Sequence, residues 1–152
     1  MKLLVVKEDT KLNEIENVDS MIIKNNHPDL KEFVACANEK KIPVYLWIVE
    51  FKYNNLDLNT VKCIFVNTQN ARKIKKDLID EHRILDYFLK KYNTLRVVLM
   101  SGSKGCYFKD KDLLVYQKSL GNDFDEELFI KKYLEYELKG YTEMTSLYKA
   151  CA

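Results

Sequence analysis

The stretch that most limits what this chain can become is Val44-Tyr45-Leu46-Trp47-Ile48-Val49, six apolar or aromatic residues in succession, most of them β-formers. A half-exposed strand alternates apolar and polar residues, so an unbroken run of this kind describes a strand buried on both faces. Such a strand needs a layer of helices above it and another below, which makes the expected fold α/β or an α+β sandwich: a central mixed β-sheet covered by helices. With 152 residues, 47% of them hydrophobic, the chain can fill one core, and a single domain over 1–152 is expected. No window approaches the roughly 20 apolar residues of a membrane span. The N-terminal run Leu3–Val6 is short and is soon followed by Glu8 and Asp9. The expectation is a soluble, cytoplasmic protein without a membrane partner.

The rest of the chain supplies the other elements. Residues 1–7 and Asp19–Lys24 read as strands, with a polar, irregular connection between them. Asp29 stands where a helix cap would, ahead of Leu30, Phe33, Val34 and Ala37 at helical spacing. Ile42-Pro43 ends that helix. Thr60–Val66 predicts a strand, and Thr68–Lys91 a helix in one or two pieces, with Thr68 as its cap and an apolar stripe of Ile74, Leu78, Leu85, Phe88 and Leu89. Further strands are expected at Leu95–Met100, from Cys106, and at Leu113–Tyr116. A helix over Asp123–Leu138 is ended by Gly140, and Tyr141–Ala152 reads as a short helix or a frayed end.

The residues capable of chemistry are few. Cysteines 36, 63, 106 and 151 lack C-x-x-C spacing and read as buried thiols. His27 and His82 offer little material for imidazole catalysis, and a net charge of +2 does not by itself imply nucleic acid. Two local features stand out. Between two β-prone runs lies the turn Ser101-Gly102-Ser103-Lys104-Gly105, followed by Tyr107; its glycines, hydroxyls and ammonium suit a nucleotide phosphate. Arg72, Lys73, Lys75 and Lys76 cluster near the start of the long predicted helix and form a candidate nucleic-acid-binding patch.

The arrangement of strand 44–50, helix 69–91, strand 95–100 and a Ser-Gly-x-x-Gly turn resembles the core of the archaeo-eukaryotic primase family. The resemblance covers about residues 43–118. It implies a primase or RRM-like core, with the turn 101–105 and position 107 at the nucleotide. The family's phosphate-binding histidine falls on Tyr107, and its two metal-binding aspartates fall on Glu50 and Lys52. An ammonium in place of a metal ligand removes the cation affinity that a two-ion site needs. Asp57, Asp123 and Asp125 are alternative carboxylates. The resemblance therefore implies a degenerate, non-catalytic accessory protein for DNA replication, binding nucleotide or nucleic acid and accompanying replication proteins, with no cofactor.

Two other functions fit the same residues. Pro28-Asp29 with Glu50-Phe51-Lys52 matches the shorthand of PD-(D/E)xK nucleases, in which Asp29 and Glu50 would hold Mg²⁺ and Lys52 would activate water. Mg²⁺ is expected only in that catalytic case. The third is a protein–protein interaction module without chemistry, its ten tyrosines supplying amphipathic contact surface.

Overall fold

The structure, a computed structural model, describes residues 2–50, 56, 60–92, 94–118 and 124–151. Among the described residues seven strands form one sheet: β1 (Leu3–Val5), β2 (Ser20–Lys24), β3 (Val44–Ile48), β4 (Val61–Asn67), β5 (Thr94–Met100), β6 (Cys106–Asp110) and β7 (Leu114–Gln117). Their order across the sheet is their order in the chain. β1 to β5 run parallel, and β6 and β7 are added antiparallel.

That order fixes where the helices lie. Parallel neighbours need crossovers, crossovers are right-handed, and a sheet that always advances in one direction receives all of them on one face. α1 (Leu30–Glu39), α2 (Thr68–Ile74) and α3 (Glu81–Lys91) accordingly bury Phe33, Val34, Ala71, Ile84 and Phe88 in a single layer with Met21, Leu46, Ile64, Val97 and Leu99. The opposite face is covered last, by α4 (Glu126–Leu138) and α5 (Glu143–Cys151), which bury Phe129, Tyr133, Leu134 and Leu147 against Tyr45, Cys63, Phe65, Val98 and Phe108. β3 is the doubly buried strand expected of its sequence, Leu46 facing one layer and Tyr45 the other.

The long helix predicted over Thr68–Lys91 is two helices. Asn67, not Thr68, caps the first, its Oδ1 accepting from the N–H of Asn70 at 2.7 Å. Asp80 caps the second by accepting from the N–H of Arg83 at 2.9 Å, and so restarts the helix after a break. Asp125 caps α4 in the same way through the N–H of Leu128. Asp29 does occupy the N-cap position of α1, but its side chain makes no capping bond. All four cysteines are free, and Cys63, Cys106 and Cys151 are buried. Among the described residues no helix is long and apolar enough to cross a membrane.

Candidate functional site

In parallel α/β sheets, ligands are held beyond the carboxyl ends of the strands, where loops and helix starts converge. Here that rim is formed by the ends of β2 to β5 and by the first residues of α2 and α4. At its centre is Asn67, the last residue of β4. Its Oδ1 caps α2, and its Nδ2 donates to both carboxylate oxygens of Glu126, the first residue of α4, at 3.0 and 3.2 Å. One side chain thus joins the sheet to a helix on each face. Beside it, Thr68 Oγ1 and Ser101 Oγ lie 2.8 Å apart and tie the end of β4 to the end of β5. Asn70 reaches across to the carbonyl of Ile48 at the end of β3, at 3.5 Å.

The turn after β5 is tightly self-bonded. Ser101 N–H donates to the carbonyl of Gly105, Lys104 N–H to that of Ser101, and Gly105 N–H to that of Gly102. Gly102 has φ +59° and Gly105 φ +103°, a region that side chains with a Cβ enter only under strain. With those three amides committed to the turn itself, its outward chemistry comes mainly from the exposed Lys104 and from the Ser101 hydroxyl. The side chain of Ser103 lies outside the description. Tyr107, two residues beyond the turn, is half-buried and packs in a tilted arrangement, ring centroids 4.8 Å apart, against its cross-strand partner Tyr116, whose hydroxyl donates to the carbonyl of Lys104.

A second part of the rim, at the ends of β2 and β3, is a cleft of about 300 Å³ lined by Asn25, Asn26, His27, Lys31, Glu32 and Glu50. Buried Asn25 holds its floor, its Oδ1 accepting from the N–H groups of Val49 and Glu50 at 2.8 and 3.1 Å. His27 Nδ1 accepts from Asp29 N–H at 3.0 Å, which leaves Nε2 to carry the proton and donate to the carbonyl of Lys7, also at 3.0 Å.

At the opposite end of the sheet lies a buried charge network. Arg96, 4% exposed, projects from β5 towards α4 and α5; it donates to Glu137 and, at 2.9 Å, to Glu143. Tyr45 donates to Glu137 at 2.5 Å, and Lys62 lies 3.8 Å from the same carboxylate. Burial, followed by the charge of Glu137, raises the Tyr45 phenol above its ordinary value of 10.0. Burial pushes the Cys63 thiol up to about 12 although Arg96 pulls it down. This network sits at the strands' amino ends, away from the rim. Its role is to seat α4 and α5.

The residues singled out from sequence fall in several places. Ser101, Gly102, Lys104, Gly105 and Tyr107 are together at the rim. Glu50 is exposed at the mouth of the cleft, and Lys52, Asp57 and Asp123 lie outside the described residues. Asp29 is at the start of α1, not on a strand next to β3, so the Asp/Glu-x-Lys geometry of a nuclease is not assembled. The turn 101–105 follows β5, and β4 stands between it and the end of β3, so the adjacency that a primase core requires is also missing. Arg72 and Lys73 lie in the last turn of α2, and Arg72 donates inward to the carbonyls of Leu78 and Ile79. Lys75 pairs with Asp77, and its ammonium lies 5.5 Å from the Tyr87 ring; Lys76 is exposed. The four cations therefore do not surround a helix N-terminus. Among the described residues no group of three or more His, Cys, Asp or Glu could hold a metal ion. Sequence reasoning missed Asn67, Thr68 as a rim hydroxyl, and Arg96 with Glu137. The last pair did leave a signal: Arg96 takes an inward position in β5, and Glu137 continues the buried stripe Ile130, Tyr133, Leu134 of α4.

No protein-family model and no curated protein matches the chain. Solved structures do. The ribokinase of Arabidopsis thaliana, solved with ribose and ATP, superposes with a TM-score of 0.77 at 15% identity over 96% of this chain and 51% of its own. The adenosine kinase of Sinorhizobium meliloti gives 0.76 at 13% identity over 95% and 50%. Phosphofructokinase-2 of Escherichia coli, solved with fructose-6-phosphate, gives 0.72 at 9% identity over 92% and 52%. The chain thus spans about half the length of the solved structures it matches. This likeness overturns the resemblance to primases, and with it the role as a replication accessory protein; the nuclease and the chemistry-free module gain no support from it either. What the chain shares with these kinases is their fold: a ribokinase-like α/β sheet with helices on both faces.

Proposed function

We propose that this chain binds a nucleotide at the carboxyl rim of its parallel strands and serves phosphoryl transfer to a small polar acceptor. The observation that carries the reading is the Thr68–Ser101 hydroxyl pair between the ends of adjacent strands, in which one hydroxyl donates to the other and the second O–H is left for a ligand, beside Lys104 and the glycine turn. A transferring phosphoryl group needs donors and positive charge around its oxygens more than it needs covalent chemistry from the protein. Serine and threonine hydroxyls and a lysine ammonium are that kind of group. The fold gives independent support, because its solved examples include a ribokinase holding ribose and ATP.

The cleft at Asn25 and Glu50 is the natural place for the acceptor. Strands lie about 4.8 Å apart, so the ends of β3 and β5 are roughly 10 Å from one another, a distance that an extended phosphate chain covers. The amides of Asn25 and Asn26 and the carboxylates of Glu32 and Glu50 in its lining suit a hydroxyl-bearing molecule. The cytoplasm, where nucleoside triphosphates are abundant, is the compartment this reading implies.

Calorimetric titration with ATP, with and without Mg²⁺, tests the proposal. Saturable binding is expected, weakened at least tenfold in the Ser101→Ala/Lys104→Ala double variant. ADP release is then measured with ribose, adenosine or fructose-6-phosphate as acceptor. No heat of binding up to millimolar ATP would overturn the reading.

A further inference from the structure

Two of the cysteines are far apart in sequence and neighbours in space. Cys106 opens β6, directly after Gly105 of the glycine turn, and Cys151 is the last residue of α5. Alternation along β6 sends Cys106 and Phe108 into the layer beneath α4 and α5, and Tyr107 into the opposite one. On α5 the buried residues Leu147, Ala150 and Cys151 fall at i, i+3 and i+4, so Cys151 ends the stripe that lies on the sheet. Strand and helix thus aim one thiol at the other, and the Cys106 S–H donates to the Cys151 sulfur. Both thiols are free. The other two cysteines are elsewhere: Cys63 lies against Arg96, and Cys36 is in α1 on the far side of the sheet.

The pair is chemically unequal. Cys106 is fully enclosed, whereas Cys151 is 6% exposed and stands in the last turn of a helix, which opens more readily than a strand inside a sheet. The hydrogen bond it donates, and then burial, hold the proton on Cys106; accepting that bond lowers the pKa of Cys151 against the effect of burial. We propose that Cys106 and Cys151 form a reversible dithiol–disulfide site, in which Cys151 meets the oxidant and Cys106 resolves it, so that oxidation fastens α5 to the start of β6. With hydrogen peroxide as oxidant, the Cys151 thiolate attacks one peroxide oxygen, the O–O bond breaks, and the departing hydroxide takes up the proton that Cys151 released. Cys151 is then a sulfenic acid. Cys106 attacks its sulfur, the S–S bond forms, the S–O bond breaks, and the hydroxide leaves as water with the Cys106 proton. Two thiols have lost two electrons, and one peroxide has become two waters. Exchange with a small dithiol reverses the change.

Peptide mapping tests the site on the native wild-type chain. The protein is treated with an equimolar amount of hydrogen peroxide, alkylated in urea, digested with trypsin without reductant and analysed by mass spectrometry. The expected product joins the peptide Gly105–Lys109 to the peptide that starts at Ala150, and dithiothreitol separates them. The bridge closes a loop containing β7, α4 and α5, so oxidation is expected to lower the unfolding equilibrium constant in urea roughly thirty- to several-hundredfold. Cys151→Ala, treated in the same way, should show no such change and keep Cys106 open to alkylation. A bridge to Cys36 or Cys63 instead, Cys151 carried to sulfinic acid while Cys106 stays free, or both thiols still alkylated after excess peroxide would overturn the site. So would an oxidised protein that unfolds as readily as the reduced one. None of these readouts involves a nucleotide, so the outcome is independent of the nucleotide reading.

Discussion

Against α1, α2 and α3 the sheet presents mostly branched aliphatic side chains; against α4 and α5 it presents Tyr45, Cys63, Phe65, Arg96 and Phe108. The first face is held mainly by burial, which is strong but not directional, with a few polar ties such as Lys109 to Asp86 at its edge. The second adds a buried guanidinium shared between Glu137 of α4 and Glu143 of α5, with the Tyr45 hydroxyl on the same carboxylate. Paired buried charges contribute little net stability, because desolvation offsets their attraction, but a mispositioned helix would strand them. The difference teaches that α1 to α3 are placed largely by short crossovers and apolar burial, whereas α4 and α5 come from beyond the hairpin and are placed by a buried network of specific bonds.

Four measurements sharpen or break that contrast. Phe88→Ala, at a fully buried site on the aliphatic face, is expected to cost about 3–5 kcal/mol in urea unfolding. Glu137→Leu should cost about as much, roughly 3–5 kcal/mol, by leaving Arg96 charged and buried; adding Arg96→Met should recover most of that loss. If the double variant is no better than the single one, the network is a net source of stability and the contrast between the faces fails. Tyr45→Phe, which removes one bond to a buried carboxylate, is expected to cost about 1.5–3 kcal/mol.

The smallest expected effect is on pH dependence, and it belongs to the second face. Cys63 is raised from 9.0 to about 12 in the folded protein, and Tyr45 is raised from 10.0. A folded-state pKa above the unfolded one means that the native state keeps its proton longer. Its contribution is complete below the unfolded value and is lost as pH rises through the folded one. The urea midpoint should therefore be level up to about pH 8.5 and fall from about pH 9 upwards. Cys63→Ala should make that fall shallower; an unchanged slope would place the alkaline sensitivity elsewhere.

Much of the local structure was legible. The unbroken run 44–49 gave a doubly buried strand, Leu30, Phe33, Val34 and Ala37 gave α1, and the turn 101–105 lies between two strands as expected. These are signals of side-chain periodicity and turn chemistry, readable within a few residues. Strand order is different in kind, since nothing inside 44–49 says that β4 and not β5 will lie beside it. That is why the turn misled. A Ser-Gly-x-x-Gly sequence after a buried strand reports a hairpin, and a hairpin occurs in primase and ribokinase-like sheets alike. Asn67 was illegible for a related reason: its two roles are defined by Asn70, three residues on, and by Glu126, which is 59 residues away.

The sequential order of the strands bears on synthesis as well as on the finished molecule. A chain emerging from its amino end can add β1 to β7 one after another, each strand beside the one just made, with α1 to α3 closing their face as they appear. The other face has no cover until residues 126–151 follow. Throughout that interval Tyr45, Phe65, Val98 and Phe108 form an open apolar sheet surface, with Arg96 as yet unpaired within it. A nascent chain stalled before residue 126 is therefore expected to be the sticky form of this protein, and a natural client for chaperones.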